Sequence, residues 1–289
     1  MTVSRGLAGT AIVLLAAMLL AGTSVSAVVS YGGGANPSAV MLIRFMGAIM
    51  VLFVILRASG AKIMLPPRAR AMAFALGIAQ AAQSYFLYNS LAHIPVGLTM
   101  IIFYIYPLLV GLLASVVGQD RLTWTLGGGL VTAFLGLLLV FNVTGDGFNP
   151  IGAWYALFTA LSWCLVVVGN SWLTRGGDSR PVTFHIQVSA LVIVAVYLAF
   201  MGDVQLPTTR QSWIGYLLIP VFYGVGVTLF FVAASMIGPV RTSMIMNFEP
   251  VSAVVLGYVV LEQTLTPFQL VGGALVISAL FVAHIRKKT

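Results

Sequence analysis

The chain has 289 residues and a formal net charge of +8, with 60% hydrophobic and only 7% charged residues. An ordinary soluble domain has about 25% charged residues, and a soluble protein of this size could not cover its surface with so few. The composition excludes a water-soluble enzyme or binding module and indicates a protein embedded in a lipid bilayer.

Ten apolar stretches are each long enough to cross about 30 Å of hydrocarbon, which takes roughly 17–25 helical residues. In chain order they cover 7–30, 38–57, 69–91, 95–117, 123–142, 150–173, 182–201, 213–236, 239–261 and 266–285. Helices satisfy their own backbone hydrogen bonds in lipid, whereas barrel strands would be about half as long and would alternate in polarity. The predicted fold class is an all-α integral membrane protein of ten transmembrane helices.

The first stretch also resembles a secretory signal peptide. Arg5 precedes an apolar run over residues 7–21, and the small residues 24–27 follow it. Against that interpretation, apolar character continues through Val28 and Val29, and the stretch has a counterpart at 150–173. We expect it to be retained as the first helix.

The two halves of the chain match each other at one constant offset, the one that places Pro250 on Pro107; we call it the repeat offset. At this offset Asn-Phe-Glu-Pro at 247–250 aligns with Tyr-Ile-Tyr-Pro at 104–107, and Gly152 aligns with Gly9. This predicts two five-helix repeats, residues 1–146 and 147–289. Because five is odd, the second repeat enters the membrane from the opposite side, an arrangement that places a transport site between the halves near mid-bilayer. The alternative is a duplicated structural bundle with no path between its halves.

The basic residues predict how the helices are oriented. With the N-terminus inside, twelve of the fourteen Lys and Arg residues lie on the cytoplasmic side, and only Arg44 and Arg210 lie toward the other side. The cytoplasmic set is Arg5, Arg57, Lys62, Arg68, Arg70, Arg121, Arg175, Arg180, Arg241, Arg286, Lys287 and Lys288. This bias predicts that both termini are cytoplasmic. It also explains the net charge without a nucleic-acid partner, which would need clustered basic residues on a folded domain.

The sequence resembles the drug/metabolite transporter superfamily, in its ten-helix EamA-type branch. The resemblance covers nearly the whole chain. In the first half it is best at Leu91-Ala92, 104–111 and 119–123, and in the second half at 237–239, 247–254 and 261–266. Family members usually carry Gly-Glu or a similar acidic pair after these helices. Glu262 keeps that acid, while Gln119-Asp120 departs from the pattern by one residue. The resemblance implies export of small metabolites such as amino acids, and sometimes drugs, across the cytoplasmic membrane.

Polar side chains inside the predicted helices are the candidates for a solute site, because such groups usually face the interior of a bundle. The candidate solute-binding residues are Gln80, Ser84, Tyr88, Thr99, Tyr104, Trp163, Tyr223 and Asn247. Gln80, Ser84 and Tyr88 share one helix face, and the repeat places Tyr223 on Gln80. We expect Gln80, Tyr104, Trp163, Tyr223 and Asn247 to line a central cavity. Aromatic faces with amides suit a small amphipathic solute. The alternative is that these aromatic residues are packing or interfacial residues.

Glu249 is the one acidic residue well inside a predicted helix. A carboxyl group shielded from water favours its neutral form, which makes Glu249 a candidate proton carrier. The alternative is a hydrogen-bonded, structural carboxyl near a bend. That bend is predicted at Pro250 and its counterpart Pro107, because proline removes a backbone hydrogen bond within a helix.

Enzyme chemistry finds no support in the sequence. Metalloprotease, hydrolase-elbow and nucleotide-binding motifs are missing. His93, His185 and His284 are far apart and suggest no metal site, and the single Cys164 allows no intramolecular disulfide. We therefore expect no catalytic residues, no metal and no cofactor, with a small solute and the bilayer as partners.

The remaining alternatives are a channel, a membrane sensor or, among transporters, a drug or cation exporter. Two halves in one chain can form a translocation unit as a monomer, and the oligomeric state stays open.

Overall fold

The computed structural model describes residues 2–120, 123–141, 147–175 and 177–284. Arg121, Arg286, Lys287 and Lys288 of the predicted cytoplasmic set lie outside these ranges, as does the proposed domain boundary at 146. Within them the chain is helical without strands, which confirms the all-helical fold class. The helices are α1 Thr2–Tyr31, α2 Pro37–Ala58, α3 Pro67–His93, α4 Val96–Phe103, α5 Tyr106–Val116, α6 Trp124–Val140, α7 Pro150–Leu173, α8 Ser179–Met201, α9 Arg210–Ile237, α10 Pro239–Met246, α11 Phe248–Leu261 and α12 Pro267–His284.

Seven helical stretches in the described ranges are long and apolar enough to cross a membrane. They are Gly6–Tyr31, Pro37–Ala58, Val96–Val116, Pro150–Leu173, Ser179–Met201, Arg210–Ile237 and Pro239–Leu261. Two further apolar helices, Trp124–Val140 and Pro267–Ala279, are shorter. Helix α3 has 27 residues but is richer in polar side chains, among them the buried Gln80, Gln83 and Ser84. The chain is thus a multi-pass membrane protein.

Two of the stretches predicted as single helices are each divided into two. Helix α4 ends at Phe103 and α5 begins at Tyr106, whereas α10 ends at Met246 and α11 begins at Phe248. A proline cannot donate to the carbonyl four residues earlier. For Pro107 that carbonyl belongs to Phe103, and for Pro250 it belongs to Met246, so each first segment stops at the residue that loses its hydrogen-bond donor.

Contacts between loops define two ends of the bundle. At one end, Asn36 Nδ2, just before α2, donates to the carbonyl of Asp203, just after α8, at 2.7 Å. At the other end, Arg180 Nη1 in the first turn of α8 donates to Ser59 Oγ, just after α2, at 3.2 Å. Helices α2 and α8, which correspond at the repeat offset, therefore run in opposite directions.

Helices of the first half pack mainly on helices of the second half. Helix α1 packs along α9, and its counterpart α7 packs along α3. Helix α2 contacts α9 and, correspondingly, α8 contacts α3, while α6 packs on α12. Glycine permits the close contact between α6 and α12, because a β-carbon on Gly136 would lie only 2.8 Å from the Gly272 carbonyl oxygen. Small residues allow such close helix contacts in membranes, and the result is one interleaved bundle.

Candidate functional site: a polar and aromatic cavity between the two halves

A cavity of about 170 Å³ lies between the two halves of the chain. Its walls come from α1, α2, α3, α4, α5 and α7 and from α9, α10 and α11. The polar lining residues are Thr23, Ser24, Arg44, Gln80, Gln83 and Glu249. A larger groove of about 600 Å³ is lined almost entirely by apolar side chains such as Leu15, Phe222 and Val255. That groove is lined by no charged group, so the smaller cavity is the better candidate for recognition of a polar solute.

Four of the five residues expected in a central cavity are brought together there: Gln80, Tyr104, Trp163 and Tyr223 all line it. The fifth, Asn247, does not. It is the residue between α10 and α11, it is buried, and its backbone N–H donates to the Met244 carbonyl at 3.2 Å. Its side-chain Oδ1 is buried and has no hydrogen-bond partner among the described residues.

The other three candidate residues are not among the residues that line the cavity. Ser84 is buried and accepts a hydrogen bond of 2.5 Å from Arg44 Nη2. Tyr88 is partly buried and packs against the core. Thr99 is fully buried and shares a 3.0 Å hydrogen bond with Ser90, which donates to the Gly152 carbonyl at 2.9 Å. Thr99 thus joins α4 to α3 and, through Ser90, to α7.

Aromatic rings form much of the cavity wall. Trp163 is central among them, with ring centroids 6.5 Å from Tyr106 and 5.7 Å from Phe230. Tyr104 and Tyr106 are neighbours at 6.0 Å. Tyr223 closes the wall beside Phe45, at 6.2 Å and nearly edge to face. Such rings offer apolar faces to a solute body and can attract a cationic group.

Arg44 is a cavity residue that sequence reasoning missed. The charge tally assigned it to the outer side, but it lies within α2 and lines the cavity. Its guanidinium carbon is 4.9 Å from the Phe45 ring centre and 5.0 Å from that of Tyr223. An arginine inside an apolar run is itself a signal for a functional site. The tally concealed that signal because it assigns every basic residue to one side of the membrane or the other.

Glu249 lines the same cavity and lies in the first turn of α11. Its electrostatic neighbours include Tyr104 and Tyr106. Glu249 and Arg44 form no ion pair with each other; an ion pair elsewhere in the described part of the chain joins Arg180 to Asp178. Nor do the described residues contain a group of three His, Cys, Asp or Glu side chains that could hold a metal ion.

The cavity lining reflects the internal match of the sequence. Five pairs of lining residues are related by the repeat offset: Leu20 and Trp163, Gln80 and Tyr223, Leu87 and Phe230, Phe103 and Met246, and Tyr106 and Glu249. Equivalent positions of the two halves therefore face the same space, although their side chains differ. The two halves therefore contribute equivalent positions to the cavity lining but different side chains at those positions.

Comparisons with known proteins agree with this architecture. The model of the EamA-like transporter family matches residues 8–142 and again 150–284. A chloroplastic WAT1-related protein of Arabidopsis thaliana is 28% identical over 213 residues, 69% of this chain and 51% of that protein, so the chain spans about half the length of this relative. An uncharacterized transporter of Archaeoglobus fulgidus is 27% identical over 196 residues, 67% of each chain. One crystal structure, 16% identical, superposes over 98% of both chains with a TM-score of 0.80 and shares the fold.

Proposed function

We propose that this chain, which belongs to the EamA-like transporter family, is a secondary transporter that exports small amphipathic metabolites, with amino acids as the expected class. The observation that carries the proposal is the cavity between the halves, where two ionisable side chains and two amides lie among aromatic rings. A solute with a polar head and an apolar body matches such a lining. Export takes place across the cytoplasmic membrane by alternating access.

The proposed architecture is ten transmembrane helices in two inverted five-helix repeats, residues 1–146 and 147–289. Three observations support it. The family model matches the chain twice, α2 and α8 run in opposite directions, and the packing of α1 on α9 recurs as that of α7 on α3. Both termini are cytoplasmic in this arrangement, as the basic residues predict. One chain then forms a complete translocation unit.

The experiment is a solute screen by counterflow. Purified protein is reconstituted into proteoliposomes that are loaded with one unlabelled solute, and entry of the labelled solute is followed. Amino acids, other polar metabolites and cationic drugs are compared. We expect saturable uptake that is accelerated by solute on the opposite side. Flux that does not saturate and is not stimulated by counterflow would favour a channel, and no flux of any solute would remove the proposal.

A further inference from the structure

Arg44 carries its charge inside a membrane-spanning helix, and the described residues supply it with no counter-ion. It lies within α2, half-buried, and lines the cavity. No ion pair of Arg44 is found among the described residues, and Glu249, which also lines the cavity, forms none with it. Ionisable residues within a membrane are costly, and in general they meet a partner in the bundle interior or mark a path for a solute.

Neighbouring groups hold the guanidinium in place but do not neutralise it. The Phe45 and Tyr223 rings lie 4.9 and 5.0 Å from its central carbon. Nη2 donates to Ser84, which in turn donates to Gln83 Oε1 at 3.4 Å. Nε is buried and has no hydrogen-bond partner among the described residues. A guanidinium has five N–H donors, so this one keeps donors available although its orientation is fixed.

The equivalent position in the second half of the chain carries no charge. The residue equivalent to Arg44 at the repeat offset is Gln187. Gln187 is fully buried in α8 and lies beside Tyr223. This place in the repeat therefore holds a neutral amide in the second half, and the positive charge is a property of the first half alone.

We propose that Arg44 binds the carboxylate of the transported solute, so that the substrates are small monocarboxylates, zwitterionic amino acids among them, and not amines without an acid group. The inference rests on the proposed function, because it assigns a role within the same cavity. The planar guanidinium matches a carboxylate with two parallel hydrogen bonds. Glu249 also lines the cavity; in its ionised form it disfavours a second negative charge and attracts an ammonium group, while the rings contact the apolar body.

The test uses matched sets of three compounds that differ only in their charged groups. One set is phenylalanine, 2-phenylethylamine and 3-phenylpropionate; the other is leucine, 3-methylbutylamine and 4-methylpentanoate. Counterflow of each is measured in proteoliposomes with the wild type, Arg44→Gln, Arg44→Lys and, as a matched control, Arg210→Gln. Arg210 is the first residue of α9 and is exposed, so its variant loses the same charge outside the cavity.

We expect the amino acids to be transported and the amines not. Arg44→Gln should lower kcat/KM for carboxylates by about 10- to 100-fold, the range for loss of hydrogen bonds to a charged group. Arg44→Lys should recover part of that loss, because it restores the charge without the two-pronged geometry. Arg210→Gln should match the wild type. If Arg44→Gln does not reach the membrane, the comparison of Arg44→Lys with the wild type tests the inference. We then expect a raised KM for the amino acids, while amines without a carboxylate are still not transported.

Amines transported as well as their parent amino acids would overturn the inference, as would carboxylate transport that is unchanged in both Arg44 variants. Transport of none of the six compounds would overturn it too. The proposed function is judged separately by the broad solute screen. Counterflow of a cationic drug that depends on Trp163 would leave the transporter proposal intact and refute only the role of Arg44.

Discussion

Gly9 in α1 packs directly against Ile237, the last residue of α9, so that a β-carbon on Gly9 would lie 2.4 Å from Ile237 Cγ2. The same contact recurs at the repeat offset. Gly152 in α7 packs against Ile94, which follows α3, and a β-carbon there would lie 2.7 Å from Ile94 Cγ2. The two halves thus use equivalent residues to make equivalent contacts with each other.

Replacing Gly9 should therefore destabilise the bundle. In Gly9→Leu the new side chain meets Ile237, a β-branched residue with little rotamer freedom, and overpacking of this kind typically costs about 1–3 kcal/mol. The thermal unfolding temperature in detergent should fall. The control is Gly6→Leu in the same helix, because a β-carbon on Gly6 would have no neighbour within 4 Å. Equal unfolding temperatures for the two variants would contradict this packing.

Trp163 should contribute directly to solute binding. In Trp163→Ala the cavity loses the ring that contacts Tyr106 and Phe230. The kcat/KM of counterflow should fall by about 2- to 13-fold, since an aromatic contact is worth about 0.5–1.5 kcal/mol beyond the area it buries. The matched control is Trp154→Ala in the same helix, because Trp154 is 60% exposed on the outer surface of the bundle. Similar losses in both variants would show that the effect does not arise in the cavity.

Glu249 should carry the proton if transport is driven by a pH gradient. Glu249→Gln fixes the side chain in a neutral form, so it should lose stimulation by a pH gradient while solute–solute counterflow continues. Stimulation by a pH gradient is measured in proteoliposomes with an imposed gradient. Solute–solute counterflow is measured in proteoliposomes with equal internal and external pH. Glu262→Gln, at the exposed end of α11, is the control. Gradient-driven uptake that persists in Glu249→Gln would exclude a proton role for this carboxyl.

Pro250 should keep α10 and α11 separate. In Pro250→Ala the restored N–H can donate to the Met246 carbonyl, which favours one continuous helix. The maximal transport rate should fall while KM changes little, because the break rather than the lining is altered. The control is Pro67→Ala, since Pro67 is the first residue of α3, where proline removes no helical hydrogen bond. An unchanged rate in Pro250→Ala would mean that the break has no part in transport.

The sequence predicted the all-helical fold class correctly, because long apolar runs leave few alternatives in a bilayer. It was weaker on which face of a helix points inward. Trp154 and Trp163 lie two and a half helical turns apart in one apolar helix, which places them on opposite faces, and the uniform hydropathy around them does not distinguish those faces. Asn247 was expected in the cavity as a polar residue inside a predicted helix, but it lies between α10 and α11, is buried and does not line the cavity.

Arg44 illustrates a different failure. Its apolar neighbours in α2 predicted the helix correctly, but a tally of charges by side cannot recognise a basic residue that belongs to neither side. Its contacts with Ser84 and Tyr223 come from α3 and α9. Both partners are remote from Arg44 in the sequence, and Tyr223 belongs to the other half of the chain, so only the tertiary structure brings them together.

The inversion of the two halves is tested most directly by cysteine labelling at two equivalent positions. Lys62, between α2 and α3, and Gln205, between α8 and α9, correspond at the repeat offset and are both exposed. In a Cys164→Ala background, Lys62→Cys and Gln205→Cys are treated in intact cells with a membrane-impermeant maleimide, before and after permeabilisation. We predict that Gln205→Cys reacts in intact cells and that Lys62→Cys reacts only after permeabilisation. Labelling of both cysteines from the same face would contradict an inverted repeat.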